Sequence, residues 1–438
     1  MRSVAFYTLG CKVNQVETEA LAEAFDQRGY LSVDFSDYAD VYIINTCSVT
    51  HVADRKSRAA IRRARRRNPQ GLVVVTGCFA EIFAKEIREL PEVDLIVNNR
   101  DKEDLADYVE RHLGLKGQED DGPEGQLRPV KFMNRHQRTR GFIKIQDGCE
   151  NFCSYCIVPY ARGPVRSKNP DHIKDEICNL VNLGYKEIVL NGIHIGQYGK
   201  DLDQWNLSSL LDFILREVPG SYRIRLGSVE PNDINDRLLE LLLNPRVCRH
   251  LHIPMQSGSS KILGAMNRTY NAIQYADLLE RIQGRVPGIG LTTDVMVGFP
   301  GEGHTEFRET LEVIADSPLS DLHVFKYSSR PGTPAADMAD KVSEVDKNLR
   351  SQELIVLGQH KKKQFLRFLV GQDLIVLTEE SSPEGIRGLS DNYVDTLIDQ
   401  ECTQNDFYKV KAGVYDDRRL KGTILQRVVL GQVQSNGY

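Results

Sequence analysis

Short apolar runs alternate with longer amphipathic stretches from the first residues onward. Residues 4–9 are β-branched and aromatic, which predicts a strand, and VETEALAEAFDQRG after Asn14 has helical spacing that stops at Gly29. Residues 41–45 read as a second strand, followed by a long polar helix to about Arg67. Residues 72–76 read as a third strand, with another helix after Ala80. Strands alternating with helices predict a parallel sheet covered on both faces, an α/β domain over residues 1–115. GLKGQEDDGPEGQ is weakly hydrophobic and rich in Gly and acid, so 116–137 is expected to be a linker.

The alternation resumes at Gly141. Six strands are expected, at 142–146, 187–190, 223–227, 250–254, 291–296 and 322–325, with helical segments at 171–183, 207–217 and 272–283. Six βα units are too few for the closed eight-stranded barrel, so residues 138–342 are expected to form an open, partial (β/α)6 barrel. An open side suits a macromolecular substrate. A charged helical spacer is expected over 343–368. Beyond it DLIVLTEE, NYVDTLID, FYKVKAGVY and KGTILQ are short and strand-like, which predicts a small β-barrel over 369–438.

Composition changes this picture only at the cysteines and the arginines. No apolar run approaches the about 20 residues needed to cross a bilayer, and the amino terminus turns polar too soon for a secretory signal. The chain is therefore expected to be cytoplasmic with no membrane partner, where nine cysteines argue for metal or redox chemistry over disulfides. A formal net charge of −5 gives no global attraction to nucleic acid, so any such binding must come from local patches.

Cys149, Cys153 and Cys156 form C-x3-C-x2-C directly after the first barrel strand, in DGCENFCSYCIVPYARGPVRS. Three thiolates so spaced can hold three irons of a [4Fe-4S] cubane and leave the fourth open to a small molecule. Radical S-adenosylmethionine (AdoMet) enzymes use that vacancy for the methionine end of AdoMet, and Tyr155 supplies the aromatic commonly found before the last cysteine. A zinc site would want paired spacings and a fourth ligand. The expected carboxyl ends of the barrel strands carry Asn191-Gly192, Ser228, Glu230, Gln256, Gly298 and Tyr327, where chemistry collects in such folds. Ser228, Glu230 and Gln256 are candidate partners of the ribose and methionine parts of AdoMet, and the glycines allow close backbone approach. Taken singly, each also fits an ordinary strand-end turn or cap.

Cys11, Cys47 and Cys78 are far apart in sequence, yet each follows an expected parallel strand by two residues. Such positions share one sheet edge, where ligands bind. The trio is therefore a candidate second three-cysteine site, whereas Cys178, Cys248 and Cys402 read as small buried hydrophobes.

TLGCKVNQVE, NTCSVTHVADRKSR and TGCFAE, followed by the C-x3-C-x2-C string, resemble the methylthiotransferases, as do HLHIPMQSGS, TTDVMVGFPGE and HVFKYSSRPGTPA. The last barrel resembles the family's RNA-binding TRAM domain in architecture. TLGCKVNQ and ARGPVRS are most similar to the branch acting on N6-threonylcarbamoyladenosine, just 3′ of the anticodon in transfer RNA. The isopentenyladenosine branch and the branch acting on a ribosomal-protein aspartate word the first cysteine differently. The resemblance implies two [4Fe-4S] clusters. The cluster at Cys149, Cys153 and Cys156 is expected to cleave AdoMet to a radical that activates C2 of the base. The cluster at Cys11, Cys47 and Cys78 is expected to carry and donate methylated sulfur. It also implies an external electron donor, a sulfur donor and transfer RNA as partners. The chain departs from many radical AdoMet enzymes in having Asn191-Gly192-Ile193 in place of GGE.

Between Arg55 and Arg67 the chain reads RKSRAAIRRARRR, eight basic residues and no acidic one, with Ala59, Ile61 and Ala64 left for packing. Without i,i+4 acidic partners such a helix repels itself, which points to an anionic partner. Arg62, Arg63, Arg65, Arg66 and Arg67 are therefore candidate RNA contacts. Arg135, Arg138, Arg140, Lys144, Arg162, Arg166 and Lys168 form a second basic group around the radical motif, with Arg162 and Arg166 as its candidate phosphate ligands. Methylthiolation of N6-isopentenyladenosine in transfer RNA or of a ribosomal-protein aspartate is the runner-up, and a non-catalytic iron–sulfur RNA-binding sensor and a zinc-binding RNA protein are the other readings.

Overall fold

The computed structural model describes residues 1–116, 127–130, 139–416 and 419–431. Most of the expected linker, with Arg135 and Arg138, lies outside the described residues.

The amino-terminal unit is a five-stranded parallel sheet of order β2-β1-β3-β4-β5. Its strands are β1 (Ser3–Thr8), β2 (Leu31–Val33), β3 (Val41–Thr46), β4 (Leu72–Gly77) and β5 (Leu95–Val97). Burial on both faces explains the unbroken apolar runs. In β3, Val41 and Ile43 pack with Leu21 and Phe25 of α1 (Lys12–Gln27), whereas Tyr42 and Ile44 pack with Ala60, Ile61 and Ala64 of α2 (His51–Arg67). Ala59 is exposed and Ala60 takes the packing position expected of it. The edge strands β2 and β5 were not expected; each has three residues, too few to show a period.

Six parallel strands follow: β6 (Arg140–Asp147), β8 (Glu187–Gly192), β9 (Arg223–Leu226), β10 (His250–His252), β11 (Gly290–Val297) and β12 (Asp321–Lys326). The two-residue β7 (Arg166–Ser167) runs antiparallel to the end of β6. Single bridges, Ile224 to Val247 and Ser228 to His252, join the first sheet to the second. The result is an open arc, with β12 covered by the helix Glu344–Leu369.

The last unit closes on itself in the order β13-β14-β15-β17-β16, from β13 (Asp373–Ser382), β14 (Gly385–Ser390), β15 (Asp395–Ile398), β16 (Phe407–Tyr415) and β17 (Leu420–Val428). It docks at the amino-terminal ends of the parallel strands, away from the cysteine loop. Glu187 at the start of β8 is fully buried between Arg223 at 2.6 Å and Arg225 at 2.7 Å. Arg223 also donates to the carbonyls of Ile375 and Leu389, and Arg225 to that of Ser390. Tyr393 stacks on His250 with ring centres 4.3 Å apart. Burial alone would raise the Glu187 carboxyl, but the two arginines hold it well below the usual carboxylate range. Arg225→Ala strips a buried ion pair of one partner and is expected to cost about 3–5 kcal/mol. Denaturant unfolding of the variant against wild type checks this; an unchanged midpoint contradicts it.

Two cysteine sites and the candidate cofactor crevice

The C-x3-C-x2-C loop leaves the carboxyl end of β6 through Gly148, whose φ of +78° and lack of a side chain are both required. A Cβ there would lie 1.9 Å from the Pro164 carbonyl oxygen. The Cys149 amide donates to Gly163 O at 3.2 Å, the Ser154 amide to Met266 O at 3.0 Å, and the Ala335 amide to Ser154 O at 2.8 Å. The loop is thus pinned from three sides. Tyr155 packs edge-on against Phe299, with centroids 6.4 Å apart. Cys153 is buried and the other two thiols half-buried. Burial pushes the Cys156 thiol up to about 12 and raises that of Cys153, where Arg268 opposes the rise from 3.3 Å. Arg268 is itself paired with Glu230.

His194 Nδ1 lies 3.6 Å from Cys149 Sγ, and its Nε2 lies 2.5 Å from Asp233 Oδ2. Burial alone would lower this imidazole, yet Asp233 and Cys149 lift it to about 9. Sequence reasoning missed His194, Asp233 and Arg268. Only the place of the histidine just past a strand end, in NGIHIG, could have flagged it.

Of the residues expected at the strand ends, Asn191 and Gln256 are buried, and each keeps an unpartnered polar atom: Asn191 Nδ2 and Gln256 Oε1. A buried amide without a partner costs about 1–3 kcal/mol, so a polar ligand at this mouth relieves a real penalty. Gln256 is held at φ +66° by backbone bonds to β11: its amide donates to Asp294 O and its carbonyl accepts from Met296. Ser228 is exposed and Glu230 half-buried, whereas the Gly192 amide is turned onto Asn191 Oδ1 at 3.1 Å. Tyr327 is buried in an apolar group with Phe299. Gly298 departs from expectation. Its amide donates to Glu302, and a Cβ would meet Lys347 Cγ at 2.3 Å. The glycine admits the helix Glu344–Leu369, and its amide is not free for a ligand.

The second trio lies on the carboxyl edge of the amino-terminal sheet. Cys47 and Cys78 directly follow β3 and β4, and Cys11 caps α1. Gly10, at φ +105°, brings the first two together: a Cβ on it would stand 2.8 Å from Cys47 Cβ. Burial pushes the Cys47 thiol up to about 11 against the Val49 amide, with Cys78 and Cys11 adding to the rise. Cys78 and Cys11 thus stand near enough to Cys47 to oppose its ionisation. Among the described residues no three His, Cys, Asp or Glu side chains converge on a single ion. A cubane asks for no such convergence, because each thiolate holds a different iron. The raised thiols must release protons on binding iron.

Between the two sites lies a buried ionic seam. Glu17 of α1 accepts from Arg162 at 2.6 Å, Lys102 at 2.7 Å and Lys144 at 3.1 Å, and Asp147 from Arg162 at 3.0 Å and Lys144 at 3.3 Å. Burial would raise Glu17, but Arg162, Lys102 and Lys144 outweigh it and hold the carboxyl well below the usual range. This corrects the expectation for the second basic group. Arg162 has a fully buried side chain, Lys144 and Lys168 are buried and paired, Arg166 pairs with Asp147 and Arg140 with Glu379. Arg162 is thus a seam residue, not a phosphate contact, and the others are occupied within the protein.

On α2 the arginines divide. Arg65 donates to Pro69 O and Gly71 O at 2.9 Å each and pairs with Asp94 at 2.6 Å, so it fastens the helix end and does not wait for RNA. Arg63 lies over the rings of Tyr7 and Phe35. Arg62, Arg66 and Arg67 are exposed. Phe152 and Tyr160, beside the radical cysteines, form an exposed edge-on pair 5.9 Å apart that sequence reasoning did not single out.

An open parallel barrel with a three-cysteine loop after its first strand, beside orphaned polar groups at the strand ends, defines a radical AdoMet protein. Residues 143–314 match the Radical SAM superfamily, and residues 3–98 match the family described as Uncharacterized protein family UPF0004. In fold the chain is similar to the radical S-adenosylmethionine methyltransferase TsrM from Kitasatospora setae, at TM-score 0.57 and 15% identity over 76% of this chain and 77% of that one. The cobalamin-dependent radical enzyme OxsB gives TM-score 0.51 at 12% identity over 81% of this chain and 56% of that one. The "Threonylcarbamoyladenosine tRNA methylthiotransferase MtaB" of Bacillus subtilis (strain 168) is 42% identical, covering 91% of this chain and 90% of its own. That of Thermotoga maritima is 35% identical over 98% and 96%. A "tRNA-2-methylthio-N(6)-dimethylallyladenosine synthase" of Pelotomaculum thermopropionicum is 36% identical over 88% of each. The chain belongs to the methylthiotransferase family.

Proposed function

We propose that this chain is a transfer RNA methylthiotransferase that places a methylthio group at C2 of N6-threonylcarbamoyladenosine, just 3′ of the anticodon. The observation that carries the reading is the pair of three-cysteine sites, each at the carboxyl edge of a parallel sheet, joined by one buried seam. The higher identity to relatives named for threonylcarbamoyladenosine, 42% against 36% for the dimethylallyl synthase, favours that base.

Cys149, Cys153 and Cys156 hold one [4Fe-4S] cluster, and Cys11, Cys47 and Cys78 hold the other. Bound there, the first supplies the electron that cleaves AdoMet and the second supplies sulfur for transfer. The C2–H bond is neither acidic nor polarised, so acid–base side chains alone have no purchase on it, and the protein's part is orientation and exclusion of water. Asn191 and Gln256 offer the unmet donor and acceptor for AdoMet, with Glu230, Ser228, Gly192 and Tyr155 around them. Phe152 and Tyr160 offer faces on which unstacked bases can lie. The last barrel is a TRAM-like RNA-binding unit. Electrons and sulfur come from external donors in the cytoplasm, the compartment of the RNA. No helix among the described residues is long and apolar enough to cross a membrane.

Transfer RNA nucleosides from a deletion strain test the reading by mass. The expected result is N6-threonylcarbamoyladenosine lacking its methylthio group. Loss from isopentenyladenosine instead would select the runner-up, and unchanged nucleosides would reject both.

Arg62, Arg66 and Arg67 lie on the last two turns of α2, exposed and outside the pairings that engage Arg58, Arg63 and Arg65. Replacing these three by Gln keeps helix propensity similar. Transfer RNA affinity is expected to fall, and the slope of log affinity against log salt to flatten by about 0.7–0.9 for each phosphate that is no longer neutralised. Binding isotherms at several salt concentrations check this; parallel lines for variant and wild type mean a merely solvated face.

A further inference from the structure

Arg162 belongs to the barrel unit, at the end of the short helix Val158–Arg162 that follows the radical cysteines. Its guanidinium nevertheless serves the other domain. Besides Glu17, it donates to Asn14 Oδ1 at 2.6 Å. Asn14 in turn donates to the carbonyl of Thr46, next to Cys47, at 3.0 Å, and its Oδ1 lies 3.9 Å from Cys11 Sγ. The charges of Arg162 and Lys102 both act on the third thiol, Cys78. One atom of the guanidinium, Nε, is buried with no hydrogen-bond partner. The seam holds four cations, Lys102, Lys144, Arg162 and Arg166, against three carboxylates, Glu17, Asp147 and Glu103. Excess positive charge in a dry interface is costly unless an anion stands beside it. A [4Fe-4S] cluster on three thiolates carries a net negative charge and meets that need.

We propose that Arg162, although carried by the barrel domain, is a positioning residue that sets the charge around the cluster of Cys11, Cys47 and Cys78. The inference rests on the two-cluster reading above. Charge and hydrogen bonds around a cluster tune its reduction potential, and a nearby cation stabilises the added electron. Because the cation comes from the opposite domain, the second cluster reaches its working potential only when the two domains are docked.

The test uses the full chain with Cys149, Cys153 and Cys156 replaced by Ala, so that only the second cluster is read, in a potentiometric titration followed by electron paramagnetic resonance. Arg162→Gln moves the midpoint to more negative potential, Arg162→Lys holds it near the parent value, and Glu17→Gln moves it the other way. A midpoint unmoved by Arg162→Gln overturns the proposal. So do shifts of the same sign in the Arg162→Gln and Glu17→Gln proteins, since structural damage alone would give them. Should Arg162→Gln bind no iron, Arg162→Lys decides: a cluster at the parent midpoint supports the charge role, and its absence or displacement overturns it. A parent protein that binds no iron sinks the two-cluster reading instead.

Discussion

Replacing Cys149, Cys153 and Cys156 together by Ala is expected to abolish reductive cleavage of AdoMet. The loop that carries them is pinned by backbone bonds to Gly163, Met266 and Ala335, none of which uses a thiol. The barrel should therefore fold, and the loss should be of chemistry alone. Deoxyadenosine release under dithionite, read by chromatography, measures it. The variant should fall to the background of enzyme-free mixtures and keep about half the wild-type iron, since each site holds one cluster of like size. Deoxyadenosine at wild-type rates would remove the assignment of this loop.

The complementary triple replacement, at Cys11, Cys47 and Cys78, separates the two roles. Cleavage of AdoMet should persist, because its loop and strand ends lie in the other domain. Methylthio transfer should fall below detection, because no thiolate remains to hold the sulfur-carrying cluster. Iron should again drop by about half on the same ground. A variant with full iron content means the second site does not exist, and one that still transfers sulfur means it lies elsewhere.

How far the sequence carried these assignments differs by residue. The three main strands of the first sheet and all six parallel barrel strands were legible, because short β-branched and apolar runs such as VYII and EIVL alternate with helical segments. Strand ends then placed Cys11, Cys47 and Cys78 on one edge, an inference from topology that needed no contact. The seam was not legible. Glu17 meets Arg162 across 145 positions and Lys102 across 85, and no local pattern records such pairs. The same blindness produced the error over Arg162, Lys144 and Lys168. Charged residues clustered near a motif look like a surface until their carboxylate partners, Glu17, Asp147 and Glu176, are brought to them by folding. Arg65 misled for a related reason, since its acceptors are mostly backbone carbonyls that the sequence does not advertise.

The seam also explains why the two cysteine sites can be treated as one working unit. Asn99 Nδ2 donates to Ala161 O at 2.7 Å, beside Arg162, so the domains are joined by a neutral hydrogen bond as well as by charge. Removing one partner from a buried ion pair such as Glu17–Arg162 costs about 3–5 kcal/mol, because it leaves an uncompensated buried charge. The open arc of the barrel and the exposed faces of Phe152 and Tyr160 then lie on the cysteine side of the molecule. The last barrel is fixed at the opposite end of the parallel strands by Arg223, Arg225 and Tyr393, so a bound RNA that touches both must pass along the side of the barrel.

A single chain is assigned the whole transfer to threonylcarbamoyladenosine, and one reconstitution decides whether it performs it. Anaerobically reconstituted protein is given AdoMet, dithionite, sulfide and transfer RNA from the deletion strain, and the digested nucleosides are analysed by mass. The predicted product is 2-methylthio-N6-threonylcarbamoyladenosine, appearing together with deoxyadenosine. Deoxyadenosine without any methylthiolated threonylcarbamoyladenosine, from a protein holding both clusters, would contradict the assignment.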